Sequence, residues 1–336
     1  MEESISKKLP FHTFTIRVND LYKWLEMIVR MERISHMRIS YQGEELLGPK
    51  WLYRGQANSE WDIASSFERL VFRPIYNEPE LKIDEEDFRE REKAAIQYFR
   101  QWADVSRQDA PIVNGEWLAL MQHYEIPTRL IDFTEVPLMA LAFSLEDTKQ
   151  EDSNFAIWAV LGSSSGYETQ EKLRQISPSS KSVEILDTLS YRARCDEYDR
   201  REVNRILAGC RLGTPRVLRY VPIGMNDRQK RQRGLFLTGT HLGQAFMPLL
   251  HYWTETNAND LQNPRFEIGI TDALTSDGIK EDVANAHIIK YEFDKELRDK
   301  ARILLRCCNL TDLTRYGGIE KVAKETKGLL VERFYR

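Results

Sequence analysis

The run Phe155-Ala156-Ile157-Trp158-Ala159-Val160-Leu161 is apolar at every position. Its length suits a strand better than a core helix, so it is expected as a central strand covered on both faces. The Gly162-Ser163-Ser164-Ser165-Gly166 segment that follows has the chemistry of a loop. A strand of this kind needs partners beside it and layers on either side, and the flanking sequence offers both.

Upstream, Leu138, Leu141, Ala142 and Leu145 recur at helical spacing behind Pro137, a residue favoured in a first helical turn. Trp117, Leu118, Leu120 and Met121 predict a shorter helix from Glu116 to Tyr124, stopped by Ile126-Pro127. From Ile83 to Arg107, Phe88, Ala94, Ala95, Tyr98, Phe99 and Trp102 lie among many charges and predict a long amphipathic helix. The run Asp84-Glu85-Glu86-Asp87 suits the N-terminus of that helix. Ile39 to Tyr53 is β-branched and aromatic, with Gly43 and Gly48-Pro49 as punctuation; it predicts strand, turn and strand, leaving Arg54 at a strand end. Leu21, Trp24, Leu25 and Ile28 mark a helix that Asn19 and Asp20 are placed to cap.

Downstream, residues 170–205 mix charged and apolar positions and read as a helical or irregular insertion. Arg216-Val217-Leu218-Arg219-Tyr220-Val221 and Ala286 to Phe293 predict strands, and helices are expected over 294–309 and 318–327. Between these lies the basic run Arg228-Gln229-Lys230-Arg231-Gln232-Arg233, ahead of the apolar Gly234-Leu235-Phe236-Leu237. With no internal repeat and no low-complexity linker, the expected fold is a single α+β domain, a mixed central sheet flanked by helices.

The chain has 336 residues, 42% of them hydrophobic, which is enough to bury a large core. Its net charge of -4 is not the footprint of a dedicated nucleic-acid binder. The four cysteines, Cys195, Cys210, Cys307 and Cys308, show no CxxC or Cys/His spacing, and His12, His36, His241, His251 and His287 show no metal-ligand spacing, so no metal is expected. The first residues hold no apolar signal core and no stretch is long and apolar enough to span a bilayer, which makes the cytoplasm the expected compartment.

Three segments carry candidate chemistry. In Tyr53-Arg54-Gly55-Gln56, the guanidinium is a planar fork of donors suited to phosphate and Gly55 permits close backbone approach; the plainer reading is an ion-paired arginine at a strand end. The second segment, Gln122 to Thr134, is dense in polar groups bordered by apolar ones. There His123 reads either as a general acid/base or aromatic wall, or as a helix-end histidine satisfied by backbone. Arg129 and Asp132 are spaced to pair with each other, and Thr134 to cap the following helix. The third, Asn226 to Phe236, reads as a solvated basic loop or as a nucleotide- or RNA-phosphate contact. No P-loop, dinucleotide-binding glycine motif or nucleophile elbow is present.

Taken in order, these segments resemble the FRG domain, a family named for a Phe/Tyr-Arg-Gly motif. Trp51-Leu52-Tyr53-Arg54-Gly55-Gln56 matches the naming motif, followed by Trp61 and Ser65-Ser66-Phe67-Glu68-Arg69. Gln122-His123-Tyr124-x-x-Pro127-Thr128-Arg129-Leu130-x-Asp132-Phe133-Thr134-x-x-Pro137-x-x-Ala140 resembles the second motif and Arg231-Gln232-Arg233-Gly234-Leu235-Phe236 the third. The resemblance runs from about Val18 to Glu325, with 1–17 as a tail; at the end, Arg315 to Ala323 keeps only the outline of the family's pattern.

The motif order is also similar to that of mono-ADP-ribosyltransferases, which implies an ADP-ribosyltransferase-like fold around one NAD cleft. By that resemblance Arg54, with Tyr53, Gly55 and Gln56, holds an NAD phosphate, and Thr128, Arg129, Asp132 and Thr134 border the nicotinamide and ribose. His123 and Gln232 become the catalytic candidates. The implied activity is NAD-dependent ADP-ribosyl transfer or NAD glycohydrolysis, of the bacterial toxin or phage-defence kind, with a protein or nucleic-acid acceptor. The alternatives are a non-catalytic nucleotide- or nucleic-acid-binding module and a nucleotide or phosphodiester hydrolase. A glutamate suits oxocarbenium charge better than the neutral Gln232, and Glu125 and Glu135 are the nearest carboxylates in sequence.

Overall fold

The apolar run forms strand β6 (Phe155–Leu161), buried at all seven positions. A computed structural model describes residues 13–35, 38–41, 44–47, 51–70, 85–103, 110–161, 188–210, 216–224, 227–241, 245–251, 288–311 and 314–315. The other strands are β1 (Thr13–Val18), β2 (Arg38–Tyr41), β3 (Glu44–Leu47), β4 (Trp51–Gln56), β5 (Ile131–Thr134), β7 (Val217–Tyr220), β8 (Gly234–Gly239) and β9 (Ile288–Phe293). The helices are α1 (Leu21–Ser35), α2 (Glu85–Trp102), α3 (Asn114–His123), α4 (Pro137–Phe143), α5 (Thr188–Leu207), α6 (Asp227–Gln232) and α7 (Arg298–Cys307). Strands β2 and β3 pair as a hairpin, and the rest form one seven-stranded sheet in the order β1-β9-β6-β4-β5-β8-β7. The β1–β9 pairing is parallel and the other pairings are antiparallel, so the sheet is mixed, as expected for the α+β class.

Alternation along the strands sorts the core into faces. Trp51 and Tyr53 of β4 and Phe155, Ile157 and Ala159 of β6 pack with Trp24, Ile28 and Met31 of α1, with α4, and with Ala301 and Leu305 of α7. Trp24 meets Phe293 edge-on with ring centroids 5.3 Å apart, and Phe155 stacks on Phe293 at 4.8 Å. Leu52, Trp158, Ile131, Phe133, Leu235 and Leu237 point the other way, against Ile63, Phe246, Leu249 and Leu250. A third cluster joins Phe236, Leu218 and Tyr220 to Trp117 and Met121 of α3, Val203 and Ile206 of α5, and Ile96 of α2.

Register shows which face this third cluster occupies. Tyr53 is opposite Thr134, Thr134 opposite Gly234, and Asp132 opposite Phe236. Cross-strand partners share a face, so the third cluster continues the face of the first. Helices α1, α4 and α7 therefore cover one half of that face and α3 and α5 the other. The two halves meet at the border of β4 and β5.

Several local expectations change. Asp20 does cap α1, its carboxylate accepting from the backbone of Tyr22 at 2.8 Å and Lys23 at 3.3 Å. That helix extends to Ser35 because Met31, one turn beyond Ile28, is also buried. The basic run is not a loop: Asp227–Gln232 form α6, which delivers the chain into β8, and Lys230, Arg231 and Arg233 are exposed. Residues 188–205 of the expected insertion lie in α5, which runs on to Leu207, with Val203, Ile206 and Leu207 in the core. Residues 13–17 of the expected tail lie in β1, while residues 1–12, the 162–166 loop, the 170–187 part of the insertion and the helix expected over 318–327 lie outside the described residues. Among the described residues no helix is long and apolar enough to cross a membrane.

Candidate functional site

Strands β4 and β5 share a single register pair, Tyr53 with Thr134, whereas β4 pairs with β6 along its whole length. Beyond that pair the chain carries Arg54, Gly55 and Gln56 on one side and Ile131 and Asp132 on the other, without the ladder that would join them. Arg54 reaches across this opening, its Nη1 donating to the Asp132 carbonyl at 2.8 Å. Its Nε is buried and has no hydrogen-bond partner among the described residues. Burial pulls the Arg54 pKa below its ordinary value; the Asp132 carboxylate opposes this and the nearby Arg69 guanidinium adds to it. The Arg69 guanidinium and the Asp132 carboxylate thus flank an unsatisfied, partly desolvated donor, and two neighbouring guanidinium groups suit an anion.

A chain of hydrogen bonds holds the opposite wall. Gln122, in the last turn of α3, donates from Nε2 to Asp132 Oδ2 at 2.7 Å, and its Oε1 accepts from the Thr128 hydroxyl. Thr128 is fully buried, and its backbone is tied to Ser66: the Thr128 amide donates to Ser66 Oγ at 3.1 Å, and Ser66 Oγ donates to the Thr128 carbonyl at 3.3 Å. The Phe67 amide donates to the same carbonyl at 3.1 Å. The Ser65–Arg69 segment and the second motif are therefore one unit, and Arg54 is joined to it at Asp132.

Arg69 is the residue that sequence reasoning passed over. Its signal was legible, since Ser65-x-x-Glu68 is a capping box that starts a helical turn and presents the next residue beyond it. The box forms: the Glu68 amide donates to Ser65 Oγ at 3.0 Å and the Ser65 amide to Glu68 Oε2 at 3.3 Å. Glu68 Oε1 also accepts the Phe246 amide at 3.2 Å. Burial raises the Glu68 pKa, against the pull of these two amides. Arg69 is held by a 2.8 Å bond to the Ala64 carbonyl.

The remaining expected residues go to other tasks. Tyr53, placed by the resemblance around a phosphate, is fully enclosed beneath α1, where its hydroxyl donates to Glu32 at 2.9 Å. Gly55 makes room for α4: a Cβ there would lie 1.9 Å from the Ala140 carbonyl oxygen. Gln56 is buried, accepting from the Trp158 indole at 2.7 Å and donating to the Asp62 carbonyl at 3.0 Å. Arg129 does not pair with Asp132; it makes a buried two-pronged ion pair with Glu92 of α2. Thr134 accepts from Val136 ahead of α4, and its hydroxyl donates to the Gln232 carbonyl at 2.6 Å.

Gln232 is buried, with its amide nitrogen 3.4 Å from the Arg315 carbonyl, and Arg315 pairs with Glu146 beyond α4. Arg54 leaves β4 on the opposite face, with Leu52, so these two candidates do not share a polar network. His123 is exposed at the end of α3, its ring edge-on to Tyr124 at 5.3 Å. Of the carboxylates near the second motif, Glu135 pairs with Arg219 at 2.9 Å and Glu125 is exposed on a backbone of φ 61°.

Two cavities adjoin this region. One, of 30 Å³, has room for little more than a water molecule among Ser65, Glu68, Arg129 and His241. The other, of 340 Å³, lies between α2 and the end of α5, edged by Arg89, Lys93 and Arg100. Arg129 borders both; Arg54, His123 and Gln232 border neither.

Residues 49–153 match the family model for the FRG domain. That stretch contains β4, the Ser65–Arg69 turn, α3, β5 and α4, and so every residue of the Arg54 network. No curated protein and no solved structure matches the chain.

Proposed function

We propose, from the premise that this chain is a member of the FRG-domain family, that it binds NAD at the opening between β4 and β5 and cleaves the nicotinamide–ribose bond. Transfer of the ADP-ribosyl group to a nucleophile on a macromolecule, or to water, is the resulting activity. The observation that carries the reading is the buried Nε of Arg54, a charged donor without an acceptor, beside a second cation at Arg69. A diphosphate supplies the missing acceptor and the compensating charge. The motif order, arginine on a core strand followed by a polar segment on the neighbouring strand, supports NAD over other phosphate ligands.

Calorimetric titration with NAD and ADP-ribose tests the site. Arg54→Ala is expected to weaken both by about 100-fold, the size of a lost charge-assisted contact. Arg54→Lys keeps the charge but loses the planar edge, and an intermediate loss is expected. Unaltered affinity in a folded Arg54→Ala protein would remove Arg54 from the site. Expression in a bacterial host should lower cellular NAD and slow growth, and Arg54→Ala should abolish both effects.

A second reading, nucleotide binding without turnover, is favoured by one observation: Gln232 is neutral and hydrogen-bonded within the core. Chromatographic measurement of free nicotinamide separates the two. Release that depends on Arg54 supports cleavage; Arg54-dependent binding with no release supports the second reading.

A further inference from the structure

We infer that the 340 Å³ cavity between α2 and the end of α5 is a second ligand site, built for a phosphate monoester with a flat or apolar organic part. Arg54 does not border this cavity, so the inference stands apart from the NAD reading.

Lys93, Gln97 and Arg100 follow one another at i, i+4 and i+7, so they share one face of α2, and all three line the cavity. Asn114 lines it from the start of α3. Arg100 lies over the Trp117 ring, 5.6 Å from its centroid, and its Nη1 donates to Asn114 Oδ1 at 3.4 Å. That bond uses the oxygen of the Asn114 amide and leaves Nδ2 free to donate. Neither Nδ2 nor the Gln97 side chain has a hydrogen-bond partner among the described residues. A guanidinium held over an indole beside two such amides is rich in donors and poor in acceptors.

The carboxylates of the cavity wall do not satisfy these donors. Both oxygens of Glu92 are taken by Arg129. Glu90 meets Lys93 at 3.4 Å, but both side chains are more than half exposed, and an ion pair of that kind contributes little and yields to a stronger anion. Glu86 stands near the other end of the helix, about 21 Å from Arg100 along the axis at the rise of an α-helix. Arg89 is engaged there too, by Glu85 at 2.9 Å and the Gly209 carbonyl at 3.3 Å. The Arg100 end of the cavity is therefore the cationic one. A phosphate monoester brings close to two negative charges and three strong acceptor oxygens, which matches a guanidinium, an ammonium and two amides. Ile96, Ile206 and Leu207 supply an apolar wall for the group esterified to it, in a volume typical of small-molecule sites.

Calorimetric titration of the full chain with AMP, phenyl phosphate, adenosine and inorganic phosphate tests the site. AMP should bind at least about tenfold tighter than adenosine, which lacks the charge, and than inorganic phosphate, which lacks the organic part. The order of AMP and phenyl phosphate then tells a nucleoside ester from a smaller aryl ester. Arg100→Ala should weaken AMP by about tenfold or more, the size of a lost charge-assisted bond. Gln97→Trp, which fills the cavity from an exposed position, should abolish binding, and both variants should keep the wild-type urea midpoint. Arg54→Ala should bind AMP within about threefold of wild type. AMP affinity that survives Arg100→Ala and Gln97→Trp, or that is lost in a folded Arg54→Ala protein instead, overturns the inference. So does a wild-type protein that binds neither ester, or that binds inorganic phosphate or adenosine as tightly as AMP.

Discussion

Replacing Gly55 by alanine should destabilise the protein by about 3 kcal/mol or more, at or beyond the upper end of the range for overpacking. A Cβ on Gly55 would lie 1.9 Å from the Ala140 carbonyl oxygen, 2.7 Å from the Ser144 nitrogen and 2.9 Å from the Ala140 carbonyl carbon. All three are backbone atoms of α4 or its cap, so no side-chain rotation relieves the overlap and the helix must move as a body. Movement of α4 disturbs Ala140, Leu141 and Ala142, each buried against β4 and β6. The Ser144 amide bonds to the same Ala140 carbonyl, so the last turn of the helix is strained as well. A urea titration followed by circular dichroism measures the effect as a shift in midpoint at constant slope. A Gly55→Ala protein within about 0.5 kcal/mol of wild type, the range of neutral surface changes, would contradict the packing assigned to this glycine. The outcome also separates two readings of the motif. If Gly55 served ligand approach, alanine would lower affinity in a stable protein; if it serves helix packing, stability falls first.

That contrast shows where sequence alone was sufficient. Phe155–Leu161 announces a central strand because burial on both faces leaves an unbroken apolar run. The helices α1, α2 and α4 follow from apolar periodicity, which tertiary packing preserved. Arg54 was legible as a candidate because a guanidinium among β residues is conspicuous. Pairing across long sequence separations was not legible. Arg129 has an acidic residue three positions away, yet it bonds Glu92, which lies 37 residues upstream on a different element. Local spacing suggested Asp132 as the partner, but those two side chains start from opposite faces of the chain entering β5. The surroundings of Gln232 were hidden for a similar reason: its motif position said nothing about the Arg315 carbonyl it meets 83 residues later. The open border between β4 and β5 is a property of strand order, and strand order has no signature within any one strand.

Glu92→Ala should cost about 3–5 kcal/mol, because it leaves the Arg129 guanidinium buried without its counter-charge. The side chains are 5% and 6% exposed, so the guanidinium left behind is largely desolvated. Arg129 donates from Nε at 2.6 Å and from Nη2 to the second oxygen, and both bonds are lost together. Ion pairs at this depth add little net stability compared with apolar residues of similar volume, since desolvation offsets most of the attraction. The double variant Glu92→Met with Arg129→Met should therefore recover most of the loss in a urea titration, while each single variant remains destabilised. Recovery would identify the pair as a brace between α2 and the strand that carries Asp132. Affinity then decides what Arg129 does. A brace can be rebuilt from methionines, so the folded double variant should bind ADP-ribose as the wild type does. A folded double variant that no longer binds would return Arg129 to the ligand, the role that the motif resemblance implied for it.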